Sequence, residues 1–315
     1  MATVNTSVQT EGARMPQPMA IRHGRSALAG TRLAPWVFIA PFFILLLAFS
    51  LGPGLYSLWM SLHSDQSGKF IGVKNYQTIV QDSDFQSAAG VIWQCVYTLA
   101  PLFCIFAAVV ALVLDSKAGW GKSLIKLLIF LPFAIPATAS TILWAFNFSP
   151  DSSVFASVLH RMGAQNVLFF SKPATLPYAL MNIVVWQNIG AWVMVLTASL
   201  AGIPQELVEM ARIEGAGAMS IVRHIKLPLL APVLVLMIIS VTSYVLTLIT
   251  EPYLLQNTLS IPATYTPNMW AYNISFQSSA FNLAAAAAML LLIVSSTFAI
   301  IFVWRSGIYR LQERD

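Results

Sequence analysis

Residues Pro35 to Leu62 read PWVFIAPFFILLLAFSLGPGLYSLWMSL, a stretch without a single Lys, Arg, Asp or Glu. An α-helix needs about 20 apolar residues to cross a hydrocarbon layer about 30 Å thick, so this stretch is long enough to span a membrane. The rest of the chain fits the same environment, because 57% of its 315 residues are hydrophobic and only 9% are charged. About 25% of the residues are charged in a typical soluble domain. The sequence therefore predicts an all-α, polytopic membrane protein and argues against a soluble enzyme or a coiled coil.

Six windows of sufficient length lack charged residues, and each predicts one transmembrane helix. They are Pro35–Leu62, Ser87–Leu114, Leu127–Phe148, Leu176–Ile203, Leu227–Thr250 and Phe281–Trp304. Pro53, Pro101, Pro132 and Pro136 fall inside these windows. Since proline removes a backbone hydrogen bond, the sequence predicts kinked helices whose freed carbonyl groups are satisfied within the bundle.

The distribution of Lys and Arg predicts the orientation, because loops rich in these residues stay in the cytoplasm. Thirteen of the 17 lie in the N-terminal segment, in the connections between spans two and three and between spans four and five, or in the C-terminal segment. Only Lys69, Lys74, Arg161 and Lys172 lie on the other side. Both termini are therefore predicted to be cytoplasmic, and the pI of about 9.3 reflects topology. Basic residues dispersed in this way do not indicate nucleic-acid binding.

The polar residues 1–32 lack hydrophobic periodicity and predict a disordered cytoplasmic tail. The membrane domain is predicted to cover residues 33–304, and residues 305–315 form a second cytoplasmic tail. Cys95 and Cys104 lie within one apolar window and are interpreted as small apolar core residues. The four histidines are scattered without the spacing of metal ligands, so neither a metal nor another cofactor is predicted for this chain.

The connection between spans four and five is the most informative polar segment, PQELVEMARIEGAGAMSIVRHIKLPLLAP, from Pro204 to Pro232. Pro204 suits the first position of a short helix, and Glu206 and Glu209 suit its positive end. Gly215-Ala216-Gly217 predicts a sharp reversal, because glycine adopts positive φ without steric cost. A second short helix would then end just before Pro228. The pattern predicts a cytoplasmic helix-turn-helix elbow; a linker resting on lipid headgroups is the simpler alternative.

The same segment resembles the EAA loop of permease subunits in ATP-binding-cassette (ABC) importers. The family pattern is E-A-A-x-x-D-G-A, eight residues, then I-x-L-P-x-x-x-P, and the spacing here matches throughout. The chain departs from it at Met210, at Glu214 in place of Asp, and at Val222 where Phe is common. The resemblance implies the six-helix fold of type I importer permeases. It also implies that the loop contacts an ATPase through Glu209, Ala211, Glu214, Gly215, Ala216, Ile225, Leu227 and Pro228.

Within this family the chain resembles the carbohydrate type, and in particular the larger subunit of maltose permeases. The segment FIGVKNY, residues 70–76, matches a G-x-x-N-Y/F pattern of such subunits, whereas Gln256-Asn257-Thr258 departs from their usual Gly-Gly-Pro. The resemblance implies a heterodimer with a second permease, two ATPase subunits that bind ATP and Mg, and an extracellular solute-binding protein. It places the chain in a bacterial or archaeal cell membrane. No catalytic residue is implied in this chain.

Polar and aromatic residues at membrane depth are candidates for a sugar path, because sugars offer hydroxyl groups at their edges and C–H groups on their faces. The candidates are Asn182, Trp186, Gln187, Asn188, Trp192, Tyr97 and Glu251. Two interpretations stay open for the amides, namely contact with substrate and hydrogen bonding between helices. Glu251 would either bind substrate hydroxyl groups or mark the outer boundary of span five.

Three alternatives differ from a sugar permease. A permease of the same family could carry glycerol-phosphate, a polyamine or an amino acid, although a phosphorylated substrate would require Lys or Arg inside the spans. An ion-coupled secondary transporter would require ionisable groups deep in the membrane, and these are almost lacking. A membrane enzyme would require a nucleophile, a base or a metal cluster, and the sequence offers no such group.

Overall fold

The computed structural model describes residues 34–116, 121–149, 175–259 and 261–306, together with 153, 157–158 and 161–162. The predicted tail at residues 1–32, Lys117, Lys172, His160 and residues 307–315 lie outside these residues. Contacts divide the chain into two units, Met1–Pro53 and Gly54–Asp315. In the first unit, α1 (Ala34–Leu46) leads into a π-helical turn, π1 (Leu47–Leu51).

Helices form most of the described residues that follow π1, in the order predicted by the apolar windows. The outer and first membrane helices are α2 (Gly52–Ser61), α3 (Lys74–Gln81), α4 (Ser83–Gln94), π2 (Cys95–Leu99), α5 (Ala100–Ser116), α6 (Lys122–Phe130) and α7 (Ala137–Phe148). They are followed by α8 (Leu176–Ala201), α9 (Gln205–Ile213), α10 (Ala218–Ile221), π3 (Val222–Lys226), α11 (Leu227–Leu246), α12 (Thr250–Leu255), α13 (Pro267–Ser278) and α14 (Phe281–Ser306).

Five of the six predicted spans are continuous helices that are long and apolar enough to cross a membrane. Spans one, two, four, five and six cover Phe38–Ser61, Ser83–Ser116, Leu176–Ala201, Ala218–Leu246 and Phe281–Ser306. The predicted third span is a bent pair instead, Lys122–Ala134 and Ala137–Phe148, whose axes differ by 96°. Pro132 and Pro136 lie at the break, where Ile135 and Pro136 adopt extended ψ angles of 130° and 139°.

Each π-turn in the described residues immediately precedes an X-Pro pair, and the pairs are Gly52-Pro53, Ala100-Pro101 and Leu227-Pro228. The amide of the first residue of each pair donates to a carbonyl five residues earlier, at Leu47, Cys95 and Val222 respectively. A proline in an α-helix clashes with the carbonyl four residues before it. The wider turn removes that clash while the helix continues, so these prolines do not end the spans.

The main core lies where α5, α8 and α11 pack together. Large side chains such as Phe103, Leu180, Leu196 and Met237 are almost completely buried there. Both cysteines are buried in this cluster as apolar core residues, as predicted. Gly190 of α8 lies directly against the backbone of α6, so the two helices cross at a point where no side chain fits.

A second cluster forms where the segment between spans one and two contacts α13 and α14. Asn75 donates to the carbonyl groups of Ser61 and His63, both at 2.9 Å. Asp65 accepts hydrogen bonds from the first amides of α14, at Asn282 and Leu283 (2.7 and 3.1 Å). Gly72 of the FIGVKNY segment has a φ of 60°. Asn75 of the motif therefore has a structural role at the end of span one, and the nearby Asp65 connects the same segment to span six.

Candidate functional site

The elbow between spans four and five begins with α9, which follows Pro204 rather than containing it. Pro204 has a φ of −55° and a ψ of 125°, so it precedes the first helical residue, Gln205. Glu206 lies in the first turn and Arg212 in the last turn. Each charge thereby complements the nearer end of the helix dipole, and the short helix is stabilised at both ends.

A Schellman motif ends α9 at the predicted reversal. The amide of Gly215 donates to Arg212 (3.0 Å), and the amide of Ala216 donates to Ala211 (2.8 Å). Gly215 has a φ of 87°, which glycine adopts readily and other residues adopt only with strain. The predicted role of Gly215 as the turn residue is confirmed.

The second half of the elbow differs from the prediction. We expected a short helix ending before Pro228, but the chain runs as one helix from Ala218 through Pro228 to Leu246. The turn π3 accommodates the proline ring, so the helix does not need to end there. The second half of the elbow is consequently continuous with span five, so any displacement of that half would displace a membrane helix.

The elbow exposes several apolar side chains that a polar linker would not need. Ile213 and Met219 are 86% and 76% exposed, and Leu207 and Met210 are also exposed. Of the predicted contact residues, Glu209, Glu214, Gly215 and Pro228 are exposed, whereas Ala211, Ala216, Ile225 and Leu227 are half-buried. A projecting apolar surface bordered by carboxylates is typical of a protein–protein contact.

The candidates at membrane depth differ in what they contact. Gln187 belongs to a first group, whose side chains pack between helices. Its side-chain amide is buried and donates to Ser140 and, at 3.3 Å, to the carbonyl of Ala137. Trp186 packs edge-on against Trp144 with ring centroids 5.8 Å apart. These contacts join span four to α7, the second helix of the bent pair.

The second group lines a small cleft of about 170 Å³ between spans two, four and five. Asn188 and Trp192 face this cleft together with Ser240 and Tyr244, two residues that the sequence analysis missed. The Tyr244 hydroxyl donates to Glu251 at 2.6 Å. Glu251 is only 1% exposed, so its contact with Tyr244 is shielded from solvent.

The two remaining candidates lie away from this cleft. Asn182 lines a neighbouring groove of about 340 Å³ with Leu99, Phe103 and Tyr178. Tyr97 is exposed on π2. The spacing of Ser240 and Tyr244 offered a partial signal, because polar residues four apart share one helix face. Within the described residues, no group of three or more His, Cys, Asp or Glu side chains could hold a metal ion.

The bent span pair, the elbow and the helical bundle define the membrane subunit of a solute transporter. The model of the family of binding-protein-dependent transport system inner membrane components matches residues 105–306, and the chain belongs to this family. This match includes the elbow and the residues of spans four and five that line the candidate cleft.

Two relatives and one solved structure illustrate the similarity. The chain is 27% identical to the alpha-glucoside transport system permease protein AglF of Rhizobium meliloti over 65% of its own length and 62% of that protein. It is 25% identical to the trehalose/maltose transport system permease protein MalF of Thermococcus litoralis over 85% and 92% of the two chains.

The solved structure is a bacterial ABC transporter involved in the import of the acidic polysaccharide alginate. One of its chains superimposes with a TM-score of 0.74 at 21% identity, over 86% of this chain and 94% of that chain. At this identity the match confirms the predicted all-α importer-permease fold.

Proposed function

We propose that this chain is one permease subunit of an ATP-driven importer and forms part of the membrane path for a sugar or oligosaccharide. It pairs with a second, different permease subunit. Two cytoplasmic ATPase subunits bind ATP and Mg, and an extracellular solute-binding protein delivers the solute. Both termini lie in the cytoplasm of a bacterial or archaeal cell.

The observation that carries this proposal is the continuity of the elbow with span five. Closure of the ATPase subunits displaces the exposed surface of α9, and the turn at Gly215 connects α9 to the next helix. That helix is unbroken from Ala218 to Leu246, so it carries the displacement into the bundle. The chain then needs no energy source of its own. In the described spans, ionisable side chains at membrane depth are rare, which argues against an ion-coupled transporter.

The cleft beside Tyr244 and the names of the relatives support a sugar as the solute. Asn188, Ser240 and Tyr244 supply polar groups, and Trp192 supplies an aromatic face. None of the described residues that line this cleft is Lys or Arg. A phosphorylated solute would leave its charge uncompensated there, so the site favours an uncharged sugar over glycerol-phosphate.

Two matched glycine variants test the function of the elbow in the reconstituted complex. A Cβ atom at Gly215 or at Gly217 would meet no atom within 4 Å, but only Gly215 has positive φ. Gly215→Ala costs about 1–2 kcal/mol of backbone strain and reshapes the turn. We therefore expect Gly215→Ala to insert normally but to lose stimulation of ATP hydrolysis by the solute-loaded binding protein, while Gly217→Ala retains it.

Normal uptake by Gly215→Ala would show that the elbow is not the coupling element. A second measurement uses the chain alone in vesicles, where we expect no accumulation of sugar. Accumulation without ATPase subunits would contradict the ATP-driven mechanism itself.

A further inference from the structure

One ion pair joins the elbow to a helix that is far from it in sequence. The Lys226 ammonium lies 2.6 Å from the Asp115 carboxylate, and it is the one salt bridge among the residues that the structure describes. The two side chains are only 15% and 22% exposed. Asp115 lies in the last turn of α5 at the inner end of span two, and Lys226 is the last residue of π3.

Each charged side chain could extend toward solvent, but in the structure the two point to each other. A lysine near the inner boundary of a membrane helix ordinarily extends its ammonium group toward water or lipid phosphate. Lys226 instead points across to span two. Most exposed ion pairs contribute little, whereas removing one partner of a largely buried pair leaves an uncompensated charge. The pair therefore resists separation more strongly than a surface contact would.

A large apolar groove lies next to the ion pair. A groove of about 680 Å³ runs between the inner halves of spans two and five and is lined by side chains of both. Ser116, next to Asp115, and Leu227, next to Lys226, both belong to its wall. The ion pair thus lies beside a region in which apolar side chains of the two helices leave open space.

We propose that the Lys226–Asp115 pair is a second link from the elbow into the bundle, which holds the inner ends of spans two and five together throughout transport. Span five follows the elbow because the helix is continuous, and span two follows through the ion pair. Lys226 and Asp115 are positioning residues in this role. The inference rests on the proposed function, since it concerns how the displacement of the elbow is distributed.

Charge variants in the reconstituted complex provide the first test, with sugar taken up per ATP hydrolysed as the readout. Lys226→Met and Asp115→Asn each should lower this ratio by about ten-fold or more, because the remaining charge cannot stay at the contact. Lys226→Arg and the exchanged pair Asp115→Lys/Lys226→Asp should stay within about two-fold of the wild type, since they keep the attraction. Lys126→Met is the matched control, because it removes a half-buried cation of α6 on the same side of the membrane.

Cross-linking provides a second test that does not depend on the stability of the charge variants. A short bifunctional reagent that joins Asp115→Cys to Lys226→Cys should leave uptake intact, because the contact never opens in the proposed cycle. Loss of uptake on cross-linking would overturn the inference, as would single charge variants that couple like the wild type. If the wild-type complex itself shows no stimulated ATP hydrolysis, the proposed function is wrong. If the wild-type complex is stimulated but one of these two contradicting results is obtained, only the link between spans two and five is wrong.

Discussion

Two glycines are required at single positions for different physical reasons. Gly215 has a φ of 87° in open space, so the backbone conformation alone excludes a side chain. Gly190 is helical, but a Cβ atom there would lie 2.2 Å from the carbonyl oxygen of Ile129 and 2.7 Å from the Cα of Phe130. Both are backbone atoms, which cannot move aside as the end of a flexible side chain can.

We predict that Gly190→Ala destabilises the protein by about 1–3 kcal/mol, because α6 and α8 must move apart to accept the methyl group. Gly90→Ala is the matched control, since Gly90 also lies in a helix and its Cβ atom would meet nothing within 4 Å. The measurement is the midpoint of thermal unfolding in detergent for both variants. Equal midpoints would mean that α6 and α8 do not touch at Gly190.

At this scale, the sequence predicts features that depend on neighbours along the chain. The reversal at Gly215 was predictable because its signal, glycine after a short helix, is local. The contact of Gly190 with Ile129 was not predictable, because a glycine within an apolar helix carries no sign of its partner. The same limit left two interpretations open for Gln187, whose bond to Ser140 joins residues 47 positions apart.

At the scale of elements, the association of π-turns with prolines explains how spans that contain a proline stay continuous. Pro53, Pro101 and Pro228 each follow a turn of five residues with wide hydrogen bonds. A π-turn contains one residue more than the α-helical segment it replaces. Removal of that residue together with the proline should therefore restore a regular helix without changing which faces point to the core.

We predict that deletion of Thr98 combined with Pro101→Ala is tolerated, because the buried faces of α4 and α5 keep their register. Thr98 is exposed, so no core contact is lost. Deletion of Val109 with Pro101→Ala is the control; it rotates the inner half of α5 by about 100° and turns Ala111 and Leu114 out of the core. The yield of monodisperse protein in size-exclusion chromatography distinguishes the two, and equal yields would contradict the interpretation of π2.

The sequence predicted which elements exist better than where they end. Apolar length identified the spans, since every backbone group in lipid must be satisfied within a helix. Apolar length and proline position predict the wrong end for the second elbow helix. Pro228 suggests a helix end, whereas π3 accommodates the proline ring and the helix continues. Apolar length also gives no bend angle for the third span, since the 96° between its halves depends on packing against α8 at Gly190 and Gln187.

At the scale of the whole molecule, long-range polar contacts fasten the bundle at both ends. At one end, Asp65 caps α14, and Asp82 accepts a hydrogen bond from the buried Trp270 at 3.1 Å. At the other end, Lys226 pairs with Asp115. Between them the packing is mainly apolar, with few polar contacts such as that of Gln187. Movement of the elbow can therefore tilt helices as units while their ends keep fixed partners.

The bent pair decides the topology of the chain. Five continuous spans alone would place the termini on opposite sides, whereas the distribution of Lys and Arg predicts that both lie in the cytoplasm. The two halves, joined at 96°, extend over about 25 Å from end to end, which nearly equals the hydrocarbon thickness. We therefore predict that the pair crosses the membrane once instead of turning back.

Single cysteines on either side of the pair test this crossing in a background with Cys95→Ala and Cys104→Ala. Met162→Cys, at an exposed position beyond the pair, should react with an impermeant maleimide in intact spheroplasts, as should the outer control Lys69→Cys. Gly121→Cys, just before α6, should react only after the membrane is opened, because the connection between spans two and three is cytoplasmic. A Met162→Cys variant that is labelled only together with Gly121→Cys would make the pair a re-entrant loop, and one terminus would then have to lie outside despite its basic residues.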